Sequence, residues 1–184
     1  MKSSMGIANK TRQRLLHWAI VFSLVAAYAS AYYRHWYTSQ SEVVNWYLLV
    51  IHMNCGIAVF ILSIIALIHR FCLPRPADQT TLTQRHVMAK TMHVALYFLL
   101  MALPLTAYLG TGFDIPLLGI VNLDGFMRYD FIQTFVQDGL GMLMTTFIEP
   151  FGIFHRDTGS DIILPILITG HIGGAIFHKF KTGG

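Results

Sequence analysis

Four long apolar runs decide what this chain of 184 residues can fold into. The first, Leu15–Tyr33, passes nineteen positions without a charged residue or a proline, and its markedly polar members are His17, Ser23 and Ser30. The second, Val43–Ile68, lies between Glu42 and His69-Arg70. Its 26 positions would reach roughly 39 Å at helical rise, more than the hydrocarbon core requires, so a tilted span is expected. The third, Thr91–Leu109, follows Arg85 and Lys90, ends at Gly110-Thr111-Gly112 and holds Pro104, a kink of the kind lipid-buried helices tolerate. The fourth, Ile162–Phe177, lies between Asp161 and His178, and its sixteen positions are few for a crossing.

Runs of this length belong in lipid, where a helix is the local way to satisfy every backbone polar group. Composition agrees: 54% of residues are hydrophobic and 12% charged, far from the balance of a soluble domain. The expected fold is an all-α membrane protein, a four-transmembrane-helix bundle forming one domain over residues 1–184. Its spans are expected at about 15–33, 43–68, 91–109 and 162–177, with a long outer-side connection at 110–156. Within that connection Phe131–Phe154, rich in Phe, Met, Leu and Ile but broken by Gly139, Gly141 and Pro150, is expected to lie along the outer membrane surface.

Basic residues set the orientation. Lys2, Lys10, Arg12, Arg14, Arg70, Arg75, Arg85, Lys90, Lys179 and Lys181 fall on one side of a four-span arrangement, and Arg34, Arg128 and Arg156 on the other. Ten against three places both N- and C-termini in the cytoplasm. The net charge of +4 is thereby explained without nucleic acid as a partner. The basic N-terminus before an apolar run resembles a signal peptide, but the run is long and no small-residue cleavage site follows, so an uncleaved helix is expected. No phosphate-cradling glycine pattern or internal repeat occurs. Cys55 and Cys72, one within a span and one at a helix end, do not predict a disulfide, and no Cys-x-x-Cys-His is present for covalent haem.

The chemistry rests on nine histidines, because an ionisable side chain inside hydrocarbon is costly and is kept for a partner. His17, His52, His93 and His171 lie one in each run. A single membrane histidine commonly serves only as an interhelical hydrogen-bonding residue, but four helices with one each favour ligation. Neutral imidazole is a good axial ligand for haem iron, and two facing helices can clamp a flat macrocycle. Gly56 after His52, and Gly173-Gly174 after His171, would let such a ring approach the backbone. Depth narrows the pairings: His17, His93 and His171 lie toward the cytoplasmic side, whereas His52 enters its helix from the outer side, where His155 and His35 are available to oppose it. His35, His69, His86 and His178 fall at interfaces, where an imidazole costs little. Trp18, Trp36, Trp46 and tyrosines 32, 33, 37 and 47 cluster near run ends as an aromatic belt.

In order along the chain, Leu16-His17-Trp18, Ile51-His52 with Cys55-Gly56, His93 with Leu96-Tyr97 and Ala102-Leu103-Pro104, then Gly170-His171 and His178, form a set that resembles the bacterial cytochrome b561 family. These are small four-helix dihaem b-type cytochromes of the inner membrane, and the likeness covers nearly the whole chain. The resemblance implies two haem b groups, with His17 and His171 as axial ligands on the cytoplasmic side and His52 and His155 on the outer side. It implies membrane lipid and quinone, ubiquinone in particular, as partners, together with an outer-side electron donor of unspecified identity. Some members are similar to superoxide:ubiquinone oxidoreductases, an activity open to this chain but required by none of its residues. His93 also matches a family histidine, expected beside the cytoplasmic-side haem as a partner of a propionate or quinone, with ligation as the alternative role. Arg12, Arg14, Lys90 and Lys179 are candidate propionate contacts besides setting topology.

The chain departs from the family at one place. The family's two fourth-helix ligands are fourteen residues apart, whereas His155 and His171 are sixteen apart, which turns an offset of about −40° into about 160° in a regular α-helix. A non-helical start near Gly159 or a bulge near Pro165 is expected to restore the facing. Two other readings of the residues are a haem b anchor subunit for a partner dehydrogenase and a haem-free transporter using its histidines for metal ions or protons.

Overall fold

Each of the four apolar runs lies inside a helix of the computed structural model, which describes residues 2–72, 84–112 and 114–182. Arg75, one of the basic residues in the orientation count, lies outside these. Helix α1 spans Lys2–Tyr37, α2 Val43–Cys72 and α3 Gln84–Thr111. A hairpin of β1 (Ile115–Leu117) and β2 (Val121–Leu123) follows, then the short helix α4 (Asp130–Thr134), α5 (Met144–Ile153) and α6 (Leu164–Thr182). Stretches Thr11–Tyr37, Val43–Arg70, Val87–Thr111 and Met144–His178 are long and apolar enough to cross a membrane. Their outward side chains are greasy: Phe22 is 70% exposed, Phe98 67% and Ile166 64%. Such faces suit lipid and would be a liability in water. The protein is an all-α membrane protein with four spanning helices, decorated by one small hairpin.

The chain divides into two compact units, one built from α1, α2 and the chain from Gly112 to Gly141, the other from α3 and the chain from Met142 onward. In the first unit a five-residue link turns α1 back onto α2, burying Ile20, Ala27 and Ser30 of α1 and Asn45, Val59, Ser63 and Ala66 of α2. Small residues at these positions let two helix backbones come close. The link is tied by side chains. Arg34 Nε donates to Asn45 Oδ1 at 2.9 Å, Asn45 Nδ2 donates to Thr38 Oγ1 at 2.8 Å, and Thr38 Oγ1 donates to the Arg34 carbonyl at 2.8 Å. Glu42 accepts from both the hydroxyl and the backbone N–H of Ser39, which lowers its carboxyl pKa below the usual range.

The hairpin is missing from the sequence expectation for residues 110–156. Leu118 (φ 50°) and Gly119 (φ 72°) occupy left-handed conformations at its tip, and Ile120 N–H closes the turn on the Leu117 carbonyl at 2.9 Å. Two positive φ values give the turn the twist that antiparallel strands need. Leucine in the first of them hides the usual Asn-Gly signal. Asn54 on α2 holds the hairpin at two points, donating from Nδ2 to the Pro116 carbonyl and accepting from Leu118 N–H on Oδ1, both at 2.9 Å. Beyond it, Arg128 pairs with Asp114 at 2.8 Å.

In the second unit α3 packs against α5, the segment after it and α6. Gly110 and Gly152 meet backbone to backbone, so that a Cβ on Gly110 would collide with the main chain of Gly152. The fourth helix is longer than the sequence expectation of 162–177. It begins at Met144 and continues through Phe154–Ile163 into α6, and this correction also removes Met144–Phe154 from the expected surface-lying segment. The run of Arg156, Asp157, Gly159 and Asp161 interrupts the apolar pattern without interrupting the helix. Its backbone bonds there shift to the π pattern, with Leu164 N–H on the Gly159 carbonyl. Arg156 is satisfied locally by Asp157, Nε to Oδ1 at 2.7 Å. Arg34, Arg128 and Arg156, the three basic residues against the orientation count, therefore each have a polar partner close by.

Candidate functional site

His52 sits half-buried on α2, and its Nδ1 lies 2.9 Å from the carbonyl oxygen of Ala27 on α1. A carbonyl can only accept, so Nδ1 carries a proton, and Nε2 is the nitrogen that a neutral ring would offer to a metal. His155, half-buried in the π segment, repeats the arrangement in the other unit, with Nδ1 2.9 Å from the Leu103 carbonyl of α3. Iron-binding histidines are commonly held this way, with the second ring nitrogen donated to a backbone carbonyl that fixes tautomer and ring plane and raises ligand basicity.

The carbonyls themselves are alike. Ser30 Oγ donates to the Ala27 carbonyl at 3.0 Å and to the Ala26 carbonyl at 2.8 Å. Thr106 Oγ1 donates to the Leu103 carbonyl at 3.0 Å and to the Ala102 carbonyl at 2.8 Å. In each unit a helix carbonyl thus meets an imidazole from a neighbouring element and a hydroxyl from three residues further along its own helix.

The structure brings His93 and His171 together in the second unit, their rings edge to face with centroids 5.1 Å apart. His93 Nδ1 is tied to its own helix, 2.6 Å from the Ala89 carbonyl. His17 lies on α1 with its ring edge to face against Trp18, and His35 lies exposed near the end of the same helix against Trp36. Gly56, one turn after His52, would meet no atom within 4 Å if it carried a Cβ, and the same holds at Gly173 and Gly174 after His171. Large flat groups can approach the backbone at such positions.

The π segment resolves the spacing of His155 and His171. Each i→i+5 turn takes in about one residue more than an α turn, so the roughly two turns over Phe154–Ile163 absorb about two residues. The sixteen-residue separation then behaves like about fourteen, and the angular offset returns to about −40°. Gly159 makes the close packing of this wider helix feasible: it is buried, and a Cβ there would press on the Leu103 side chain and the Phe154 carbonyl. Of the two devices expected from the sequence, neither a non-helical start nor a bulge at Pro165 is used. The widening is centred on Gly159 instead, as π turns within a continuous helix, and Pro165 lies in the regular helix that follows.

Among the described residues no three His, Cys, Asp or Glu side chains come together as a metal-ion cage. Single, carbonyl-oriented imidazoles are instead the donor type that suits haem, where the macrocycle supplies four nitrogens and the protein the axial ones. The residues present fit that group.

Long apolar helices with such imidazoles define a class, the helical membrane cytochromes. The family model described as prokaryotic cytochrome b561 matches residues 10–183, nearly the full length, and the chain belongs to that family. The comparison with curated proteins returned no match. The protein is accordingly a multi-pass membrane b-type cytochrome that binds haem b and takes part in electron transfer.

Proposed function

We propose that His17, His52, His155 and His171 are the axial ligands of two haem b groups, and that the protein carries electrons from an outer-side donor to ubiquinone. Both termini are then cytoplasmic and the membrane is the bacterial inner membrane. The observation that carries this reading is the repeated seating of His52 and His155, each with Nδ1–H on a neighbouring helix carbonyl that fixes its ring orientation. Haem b, when bound, supplies one-electron redox chemistry. The chain's part is to hold, orient and insulate. The four imidazoles would hold the haems in pairs, which would favour electron transfer over dioxygen binding. Apolar helix faces would keep water from the macrocycle. His93, in contact with His171, would meet a propionate or a quinone on the cytoplasmic side.

The activity we infer is superoxide oxidation coupled to ubiquinone reduction. Purified protein given a steady superoxide source and a short-chain ubiquinone should form quinol at a rate proportional to superoxide, and His52→Ala should lower that rate at least tenfold. Quinol formation only on addition of a dehydrogenase would favour the anchor-subunit reading. A protein that purifies without haem and binds metal ions or moves protons would favour the transporter.

A further inference from the structure

A carbonyl oxygen offers two lone pairs. Within an α-helix one is engaged by the N–H four residues on, so the Ala27 and Leu103 carbonyls each meet three donors: that N–H, a hydroxyl and an imidazole. Two donors competing for what remains of one acceptor weaken each other, the reverse of the strengthening found along a hydrogen-bond chain. The hydroxyl therefore draws acceptor strength from the imidazole's bond. A weaker Nδ1–H···O bond makes imidazole a poorer electron donor at Nε2, and a poorer donor stabilises the ferric state less.

We propose that Ser30 and Thr106 are positioning residues that raise the reduction potential of the haem bound by His52 and His155, by competing with each imidazole for its backbone carbonyl. The two devices are built from different residue types on different helices, and their shared carbonyls lie 25 and 52 positions from the histidines they meet. Their distances nonetheless agree closely, 3.0 Å for hydroxyl to carbonyl and 2.9 Å for imidazole to carbonyl in both. Each hydroxyl divides its single proton between that carbonyl and the preceding one, Ala26 or Ala102, at 2.8 Å, so its competition with the imidazole is partial and alike in both units. On the ligand set proposed above, both hydroxyls would bear on the same haem, one through His52 and one through His155.

The inference rests on His52 and His155 being ligands, and the test separates the two ideas. Redox titration of purified holoprotein, followed in the visible spectrum, gives the potential of each haem. Ser30→Ala and Thr106→Val should each keep both haems and move one potential, the same one in both variants, to a more negative value. The ratio of reduced to oxidised haem at fixed ambient potential should fall on the order of threefold, about 28 mV at 59 mV per decade. The conservative variants Ser30→Thr and Thr106→Ser should restore it, and the shifted haem should be the one missing from His52→Ala. Unchanged or more positive potentials in both hydroxyl-free variants, with His52→Ala still losing a haem, overturn the inference and leave the ligand assignment standing. Retention of both haems by His52→Ala overturns the ligand assignment itself.

Discussion

Replacing His155 by alanine is expected to halve the haem content of the purified protein, from two haem b per chain to one. The histidine is held by the Leu103 carbonyl, so its ring is oriented before any ligand arrives and little ordering entropy remains to be lost on binding. On the proposed ligand set, alanine would remove one of the two imidazoles that hold this haem. Double variants sharpen the expectation. If the proposed pairing holds, His52→Ala with His155→Ala should still retain one haem, whereas His52→Ala with His171→Ala should retain none. Haem extracted as its pyridine complex and compared with protein mass checks all four proteins. Two haems remaining in His155→Ala would remove that residue from the ligand set and return His35 to consideration.

Deleting two residues from the π segment should leave both haems in place, while deleting four should cost one. Removing Asp157 and Thr158 shortens the separation of His155 and His171 to fourteen, which a regular α-helix presents at about −40°, close to the offset reached now by the wider turns. The helix tightens and the two imidazoles keep their relative facing. Removing Asp157 through Ser160 shortens the separation to twelve, rotating one histidine relative to the other by roughly 160° in a regular helix. That variant also loses Gly159, whose missing side chain accommodates Leu103. Haem content again reads the result, with circular dichroism to establish that helix is retained. Equal haem content in the two deletion proteins would mean that the facing of His155 and His171 is not what the π segment protects.

Hydropathy made the four helices legible, since each apolar run is long, and histidines placed one per run pointed to ligation. The beginning of the fourth helix was not legible. Arg156, Asp157 and Asp161 read as the end of an outer connection, yet Arg156 and Asp157 neutralise one another and the chain stays helical by widening its turns. Sequence spacing announced that something must happen between His155 and Pro165, but not which irregularity would be used, because α and π turns differ by one residue and share their residue preferences. The hairpin was concealed by Leu118 in a conformation normally taken by Asn or Gly, which Asn54 helps to hold from α2. Nor could the hydroxyl, carbonyl and imidazole triplets be read from sequence. Ser30 and Thr106 look like ordinary membrane serine and threonine bonded back along their own helices, and only packing brings His52 and His155 to the same carbonyls.

Four imidazoles holding two haems is the claim on which the rest depends, and the haem-to-protein ratio of the wild-type holoprotein, measured together with its low-temperature electron paramagnetic resonance spectrum, tests it most directly. Two haem b per chain are predicted, both low-spin with the signals of paired imidazole ligands. A ratio of one or less, or a high-spin signal from an iron with an open axial position, would contradict it.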